Sequence, residues 1–291
     1  MAGARAIGVD LGGTKILAGL VDAQGHVHET VQRATPTGSQ DELLEALEEI
    51  VSVLLTPEVG AVGLAVPVRV DPATGVLSEA VNIPLGELRL DREMSGRIGL
   101  PVGVVNDAGA AALAELRCGA GRGTREMILL TLGTGVGGGI ILGGELYRGW
   151  AELGHMVIVE GGEPCQGACT GCGHIESYCS GSAADRLAKR VLGPGASAHD
   201  LIEQRHPALA EIGTHLGVAI GSLVNVFDPE LVLVGGGFGI AAGELLLAPA
   251  RAAMACEALA PGGEVRVAAA DLGAAAGLVG AGLLGFESLA A

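Results

Sequence analysis

Aromatic side chains are nearly missing from this chain: one Trp, two Tyr and three Phe make up 2% of 291 residues. The hydrophobic share is nonetheless 49%, so any core has to be built from Val, Leu, Ile and Ala. Lysine is as scarce. Lys15 and Lys189 are the two lysines among 17 basic residues, and the formal net charge is −16. A nucleic-acid surface needs a basic patch, which this composition does not supply. A phosphate ligand would have to be held by backbone N–H groups and a divalent cation. No apolar run is both long and glycine-free enough to suggest a bilayer span. No signal peptide is visible before the first strand, and a cytoplasmic chain is expected. The 50 glycines show no G-X-Y period and no long low-complexity tract, which excludes fibrous and disordered classes. Of six cysteines, four fall between positions 165 and 179. In a reducing compartment such a cluster suggests a metal rather than disulfides.

What is present reads as two α/β domains, a division that the length also suggests. Arg5 to Leu11 is an apolar strand, Gly12-Gly13-Thr14 a tight turn, and Lys15 to Val21 a second strand. Ala23-Gln24-Gly25 turns into a third, His26 to Arg33. Connections this short require antiparallel pairing. Ser39-Gln40-Asp41-Glu42 has the form of a capping box, opening an amphipathic helix that ends near Leu55. Gly60 to Val66 is a strand, and residues 67 to 90 read as loop. Val102 to Val105 is a short strand before an Ala-rich helix from Ala108 to Cys118. After a glycine-rich connector, Met127 to Leu132, Gly133-Thr134-Gly135 and Val136 to Leu142 repeat the plan of residues 5 to 21. Helices are expected from Glu176 to Val191, Pro207 to Phe227, Glu244 to Leu259 and Ala274 to Leu284. Strands are expected at Leu231 to Val234 and Val265 to Ala268. An antiparallel meander followed by alternating strands and helices makes a mixed sheet with helices on it.

Four stretches carry chemistry. Asn106-Asp107 stands at the end of a buried strand just before a helix, the edge of an α/β sheet where ligands bind. Asp107 is therefore a candidate base, although Asp is equally at home as a helix N-cap. In Asp10-x-Gly12-Gly13-Thr14 the glycines let the backbone approach a phosphate. Asp10 can hold a cation there, and Thr14 offers a hydroxyl. Gly133-Thr134-Gly135 is a second such turn. Gly235-Gly236-Gly237, directly after an apolar strand, is a third that can admit a base or ribose. Each alone could be an ordinary turn; three after apolar strands make a pattern.

Together with residues 150 to 181, these motifs resemble the ROK family (repressors, open reading frames and kinases), within the sugar-kinase branch of the actin-like ATPases. The carriers of that likeness are Glu152-Leu153-Gly154-His155 and the run Cys165-Gln166-Gly167-Ala168-Cys169-Thr170-Gly171-Cys172-Gly173-His174-Ile175-Glu176. The likeness extends over essentially the whole chain and, within the family, is strongest to bacterial glucokinases. It implies an actin-like (ribonuclease H-like) fold, with two α/β domains and mixed sheets around an interdomain cleft. The first would be residues 1–118, completed by the C-terminal helix 274–291. The second, residues 119–273, would carry a zinc loop and the nucleotide site. The implied reaction is ATP-dependent phosphorylation of a hexose, glucose foremost, with Mg²⁺. Asp107 matches the general base; Asn82, Asn106, Glu152, His155 and Glu176 match sugar contacts. A homodimer or homotetramer is implied, with no nucleic-acid or membrane partner.

The chain departs from the family in two places. The cysteine loop usually supplies three cysteines beside the upstream histidine, but here His174 occupies the last cysteine position. The expected structural zinc set is His155, Cys165, Cys169 and His174, with Cys172 as the substitute should His174 point away. His155 could ligate through one ring nitrogen and offer the other to a sugar hydroxyl. Secondly, Val66-Pro67-Val68-Arg69-Val70-Asp71 has Val68 where the family has glycine, so N-acetylmannosamine, mannose and fructose stay open as acceptors. Sugar-sensing repressors of the family carry a helix-turn-helix before the first strand. Here the first strand begins by Arg5, so a kinase is expected. Cys118, Cys179 and Cys256 read as core. Trp150 is placed either along the cleft or in the core. Glu45, Glu48 and Glu49 read as a solvated helix face. His26, His28, His199, His206 and His215 read as surface or helix residues without sequence partners.

Overall fold

The structure is a computed structural model that describes residues 5–78, 80, 83–167, 169–259, 261 and 264–289. Two compact units emerge. The first takes Met1–Cys118, Leu146–Trp150 and Ala275–Ala291; the second takes Gly119–Glu145 and Ala151–Ala274.

In the first unit the strands are β1 (Arg5–Leu11), β2 (Lys15–Asp22), β3 (Val27–Ala34), β4 (Val59–Val66) and β5 (Val102–Asn106). Their order across the sheet is β3-β2-β1-β4-β5. β1 pairs antiparallel with β2 and parallel with β4, which pairs parallel with β5. Helix α1 (Gln40–Leu54) starts where the Ser39 side chain accepts from the Glu42 N–H. It buries Leu43, Leu44, Leu47, Ile50, Val51 and Leu54, the 3-4 spacing of one helical face. Helix α2 (Leu90–Ile98) was not foreseen. It is short and charged, and buries only Leu90 and Met94, so its periodic signal is faint. Helix α3 (Asp107–Cys118) begins one residue earlier than the sequence suggested.

The second sheet repeats this plan. Its strands are β6 (Met127–Leu132), β7 (Val136–Leu142), β8 (Glu145–Leu146), β9 (Leu231–Gly235) and β10 (Arg266–Ala269), in the order β10-β9-β6-β7-β8. Read from the other edge, that order is the order of the first sheet with each strand replaced by its counterpart. β6 pairs antiparallel with β7 and parallel with β9, as β1 does with β2 and β4. The repeat seen in the glycine turns is a duplication of sheet topology.

After β7, four further elements depart from expectation. The helix expected from Glu176 is two helices, α4 (Glu176–Cys179) and α5 (Gly181–Leu192), because Ser180 is extended and caps α5 by accepting from Ala183 N–H. A helix α6 (Ala198–Glu203) precedes α7 (Leu209–Phe227). β8 is a two-residue strand too short to read from sequence. Gly235-Gly236-Gly237 is hardly a turn: Gly235 ends β9, and Gly237 begins α8 (Gly237–Ala242). Helix α9 (Glu244–Glu257) packs on α7. By length and composition α7 could cross a membrane, yet 56% of its apolar window is buried inside the fold. Its Leu216, Ile220 and Leu223 belong to the second unit's core.

The C-terminal helix α10 (Ala276–Ser288) packs on β1, β4, β5 and α3 of the first unit. Glycines make that close packing possible. A Cβ on Gly63 would collide with the Ala281 carbonyl, and one on Gly280 with the Ala110 carbonyl.

Candidate active site

In the first unit the candidate residues are placed by sheet register. Asp10 of β1 aligns with Ala65 of β4, and Ala65 aligns with Val105 of β5. Asp107 follows Val105 by two residues and opens α3. Both acids therefore sit at the carboxyl edge of parallel strands, where side chains and helix N-termini converge. Asp10 is largely buried, and its pKa is raised to about 6, first by burial and then by the nearby negative charge of Asp107; Lys15 opposes the shift. Two neighbouring carboxylates, one buried, form a natural seat for a divalent cation.

Asn106, rather than Asp107, caps α3. Its Oδ1 accepts from Ala108 N–H at 3.0 Å and from Gly109 N–H at 3.4 Å, and its Nδ2 donates to the Val68 carbonyl at 3.4 Å. Asp107 Oδ1 accepts from Ala108 N–H at 2.7 Å. The capping role that sequence alone could assign to Asp107 thus falls to its neighbour. Arg69, next to Val68, pairs with Asp71 at 3.3 Å and lies over the Trp150 ring at 4.4 Å. Trp150 is 63% exposed, so it is not a core residue. Asn82 lies outside the described residues.

The second unit holds a separate group of candidate residues, starting from β7. A side chain on Gly138 would run into Leu153, and one on Gly154 would meet the Val136 carbonyl. These two glycines seat the short 3₁₀ turn Leu153–His155 on the strand, with Leu153 buried and both Glu152 and His155 exposed. His174 reaches His155 from a loop folded on itself: Cys165 N–H donates to the Gly171 carbonyl and Gly173 N–H to the Glu163 carbonyl.

The ligand atoms of His155, Cys165, Cys169 and His174 all lie within 4.8 Å of one another. His155 Nδ1 is 3.3 Å from His174 Nδ1, Cys165 Sγ is 3.8 Å from His155 Nδ1, and Cys169 Sγ is 3.7 Å from His174 Nδ1. A tetrahedral zinc with Zn–N of about 2.0–2.1 Å and Zn–S of about 2.3 Å has N–N edges of about 3.3 Å and N–S edges of about 3.6 Å. The donors and their spacing fit that ion. Cys172 is exposed and stands outside the group.

Glu176 opens α4 beside this cluster, with Cys165 Sγ 3.9 Å from its Oε1. Its Oε2 accepts from Val136 N–H at 2.9 Å, at the end of the Gly133-Thr134-Gly135 turn. That turn adjoins Gly236, since Thr131 of β6 aligns with Gly235 of β9. Gly236 has a φ of +79°, and a Cβ there would overlap the Leu132 backbone. Only glycine suits that position. The Gly133-Thr134-Gly135 turn and Gly236 thus share one sheet edge within the second unit, glycine-rich backbone that a phosphate can approach closely.

Several residues escaped the sequence reading. Gln166 and Ser182 both donate to the Thr134 carbonyl, contacts that no motif foretells. His26 and His28 both face Asp22 Oδ2, at 3.2 and 3.0 Å, so each has a partner. Glu48 pairs with Arg97 and Glu49 with Arg33, so that helix face is not merely solvated. Cys179 is core, as expected, with its thiol pushed up by burial. Cys256 is exposed and Cys118 half-buried, which corrects the core assignment of both.

Comparison with known proteins agrees with this layout. Residues 6–287 match the ROK family. A glucokinase of Streptomyces coelicolor is 37% identical over 97% of each chain, and one of Halalkalibacterium halodurans is 33% identical over 96% of this chain and 94% of its own. Among solved structures, a ROK family glucokinase from Streptomyces griseus in complex with glucose and AMPPNP is 36% identical, with a TM-score of 0.82 over 97% of this chain and 99% of its own. With the family motifs, the duplicated sheets and these full-length relatives in agreement, the chain belongs to the ROK family and has its actin-like ATPase fold.

Proposed function

We propose that this protein is a glucokinase, transferring the γ-phosphoryl group of ATP to the 6-hydroxyl of glucose. The observation that carries this reading is full-length membership of the ROK family alongside glucokinase relatives. Asp107 accepts the proton of the attacking hydroxyl, and phosphoryl transfer asks for little other covalent help. Asp10 would hold Mg²⁺, which would neutralise charge on the phosphates. Gly12, Gly13 and Thr14, Gly133, Thr134 and Gly135, and Gly235, Gly236 and Gly237 supply backbone and hydroxyl contacts to the nucleotide. Asn82, Asn106, Glu152, His155 and Glu176 bind sugar hydroxyls. His155, Cys165, Cys169 and His174 would hold a structural zinc, which would fix the His155 ring. Its Nδ1 faces the cluster, which leaves Nε2 for the sugar. We also take the enzyme to be cytoplasmic and a homodimer or homotetramer.

Asp107→Asn should lower kcat by about 10²–10⁴-fold while glucose binding stays within about 10-fold. Substantial residual turnover would remove Asp107 from the base role. Val68 touches Asn106 where the family has glycine, and that one observation keeps other hexoses in play. Parallel kcat/KM measurements with glucose, mannose, fructose and N-acetylmannosamine decide the acceptor, and a preference for any sugar but glucose overturns the reading.

A further inference from the structure

The metal loop and helix α5 close on a single turn of backbone. The Thr134 carbonyl accepts from Gln166 Nε2 at 3.2 Å and from Ser182 Oγ at 2.8 Å. The adjoining Gly133 carbonyl accepts from Gly181 N–H at 2.7 Å, and Val136 N–H donates to Glu176 Oε2 at 2.9 Å. Two of these bonds come from the start of α5 and two from residues beside the metal cluster. Gln166 directly follows Cys165, whose sulfur lies 3.8 Å from His155 Nδ1 and 3.9 Å from Glu176 Oε1. A turn with glycine at 133 and 135 has little side chain of its own to hold its shape. The aim of its N–H groups depends on what grips it from outside.

We infer that Gln166 is a positioning residue that couples the His/Cys metal cluster to the Gly133–Gly135 turn, so that metal occupancy sets nucleotide affinity. The inference rests on the reading above, in which the turn holds phosphate and the cluster holds zinc. Ser182 grips the same carbonyl without touching the cluster and provides an internal control. Coupling of this kind is reciprocal: bound nucleotide must tighten zinc by the factor with which zinc tightens nucleotide.

The test uses the full chain, with AMPPNP affinity measured by calorimetry and zinc by elemental analysis. Gln166→Ala should keep about one zinc per chain and bind glucose within about twofold of wild type. Its AMPPNP affinity should fall by about fivefold, the loss of one hydrogen bond. In chelator-stripped protein, wild type and Gln166→Ala should bind AMPPNP equally weakly, whereas Ser182→Ala should weaken binding with or without zinc. AMPPNP should slow zinc loss to a chelator from wild type but not from Gln166→Ala. Unchanged AMPPNP affinity in zinc-loaded Gln166→Ala overturns the inference, as does zinc removal without effect on AMPPNP. A wild type that takes up no zinc or binds no AMPPNP overturns the reading underneath and the inference with it.

Discussion

At the scale of the residue, Asp10 shows how a buried carboxylate costs stability. Its pKa is raised to about 6, mainly by burial. A raised folded-state pKa adds stability that is complete below the unfolded value near 3.8 and disappears as pH climbs through about 6. The ligand-free protein should therefore lose up to about 3 kcal/mol from this group between pH 4 and pH 7. Asp10→Asn removes the charge and keeps the shape. We expect it to stabilise the ligand-free chain at pH 7 by about 1–2 kcal/mol, to give no gain at pH 4, and to depress turnover. Urea unfolding at the two pH values checks this, and an equal effect at both would contradict the assignment of the shift. Mg²⁺ with nucleotide should favour the wild type over the variant, because a cation offsets the like charges of Asp10 and Asp107. The neighbouring pair Asn106-Asp107 makes a related point. Sequence marks both residues, but only geometry shows that Asn106 does the capping.

At the scale of the element, hairpins and long amphipathic helices were legible because their period is local. The Gly12–Thr14 and Gly133–Gly135 turns fall where glycine and apolar runs put them. Helices α2 and α6 were not legible, since each buries only one or two residues and presents no full apolar stripe. The break at Ser180 carried a local signal, since Ser180-Gly181-Ser182 is a run of weak helix formers with a natural N-cap at its head; Ser180 is fully buried and its hydroxyl caps α5. Packing of α10 on its sheet sets the sharpest prediction here. Gly63→Ala places a methyl against the Ala281 carbonyl, which only backbone movement can relieve, and should destabilise by about 3 kcal/mol. Gly96→Ala, inside α2 with nothing within 4 Å, should instead stabilise by about 0.5–1 kcal/mol. Denaturant midpoints of the two variants, moving in opposite directions, decide the matter; a neutral Gly63→Ala would mean that α10 packs less tightly than described.

At the scale of the whole molecule, each unit has its own hydrophobic core, and the His155, Cys165, Cys169 and His174 donor cluster lies within the second. Chelation should therefore speed hydrogen exchange in β6, β7 and α4 while leaving β1 and β4 unaffected. The transition of the second unit should fall by more than about 5 °C, given the cost of removing a structural zinc. Equal loosening of both units would argue against a metal confined to the second.

The sequence by itself determined the aliphatic core, the strand–turn–strand repeat and the pool of candidate donors in the Cys/His loop, because these depend on composition and on neighbours a few residues apart. It also carried the family. Tertiary structure alone decided that His174, not Cys172, closes the four-donor cluster, that Asp10 and Asp107 share a sheet edge, and that Gln166 grips the glycine turn. Those outcomes depend on distances between segments far apart in the chain, which strand register and helix packing set and no local pattern encodes.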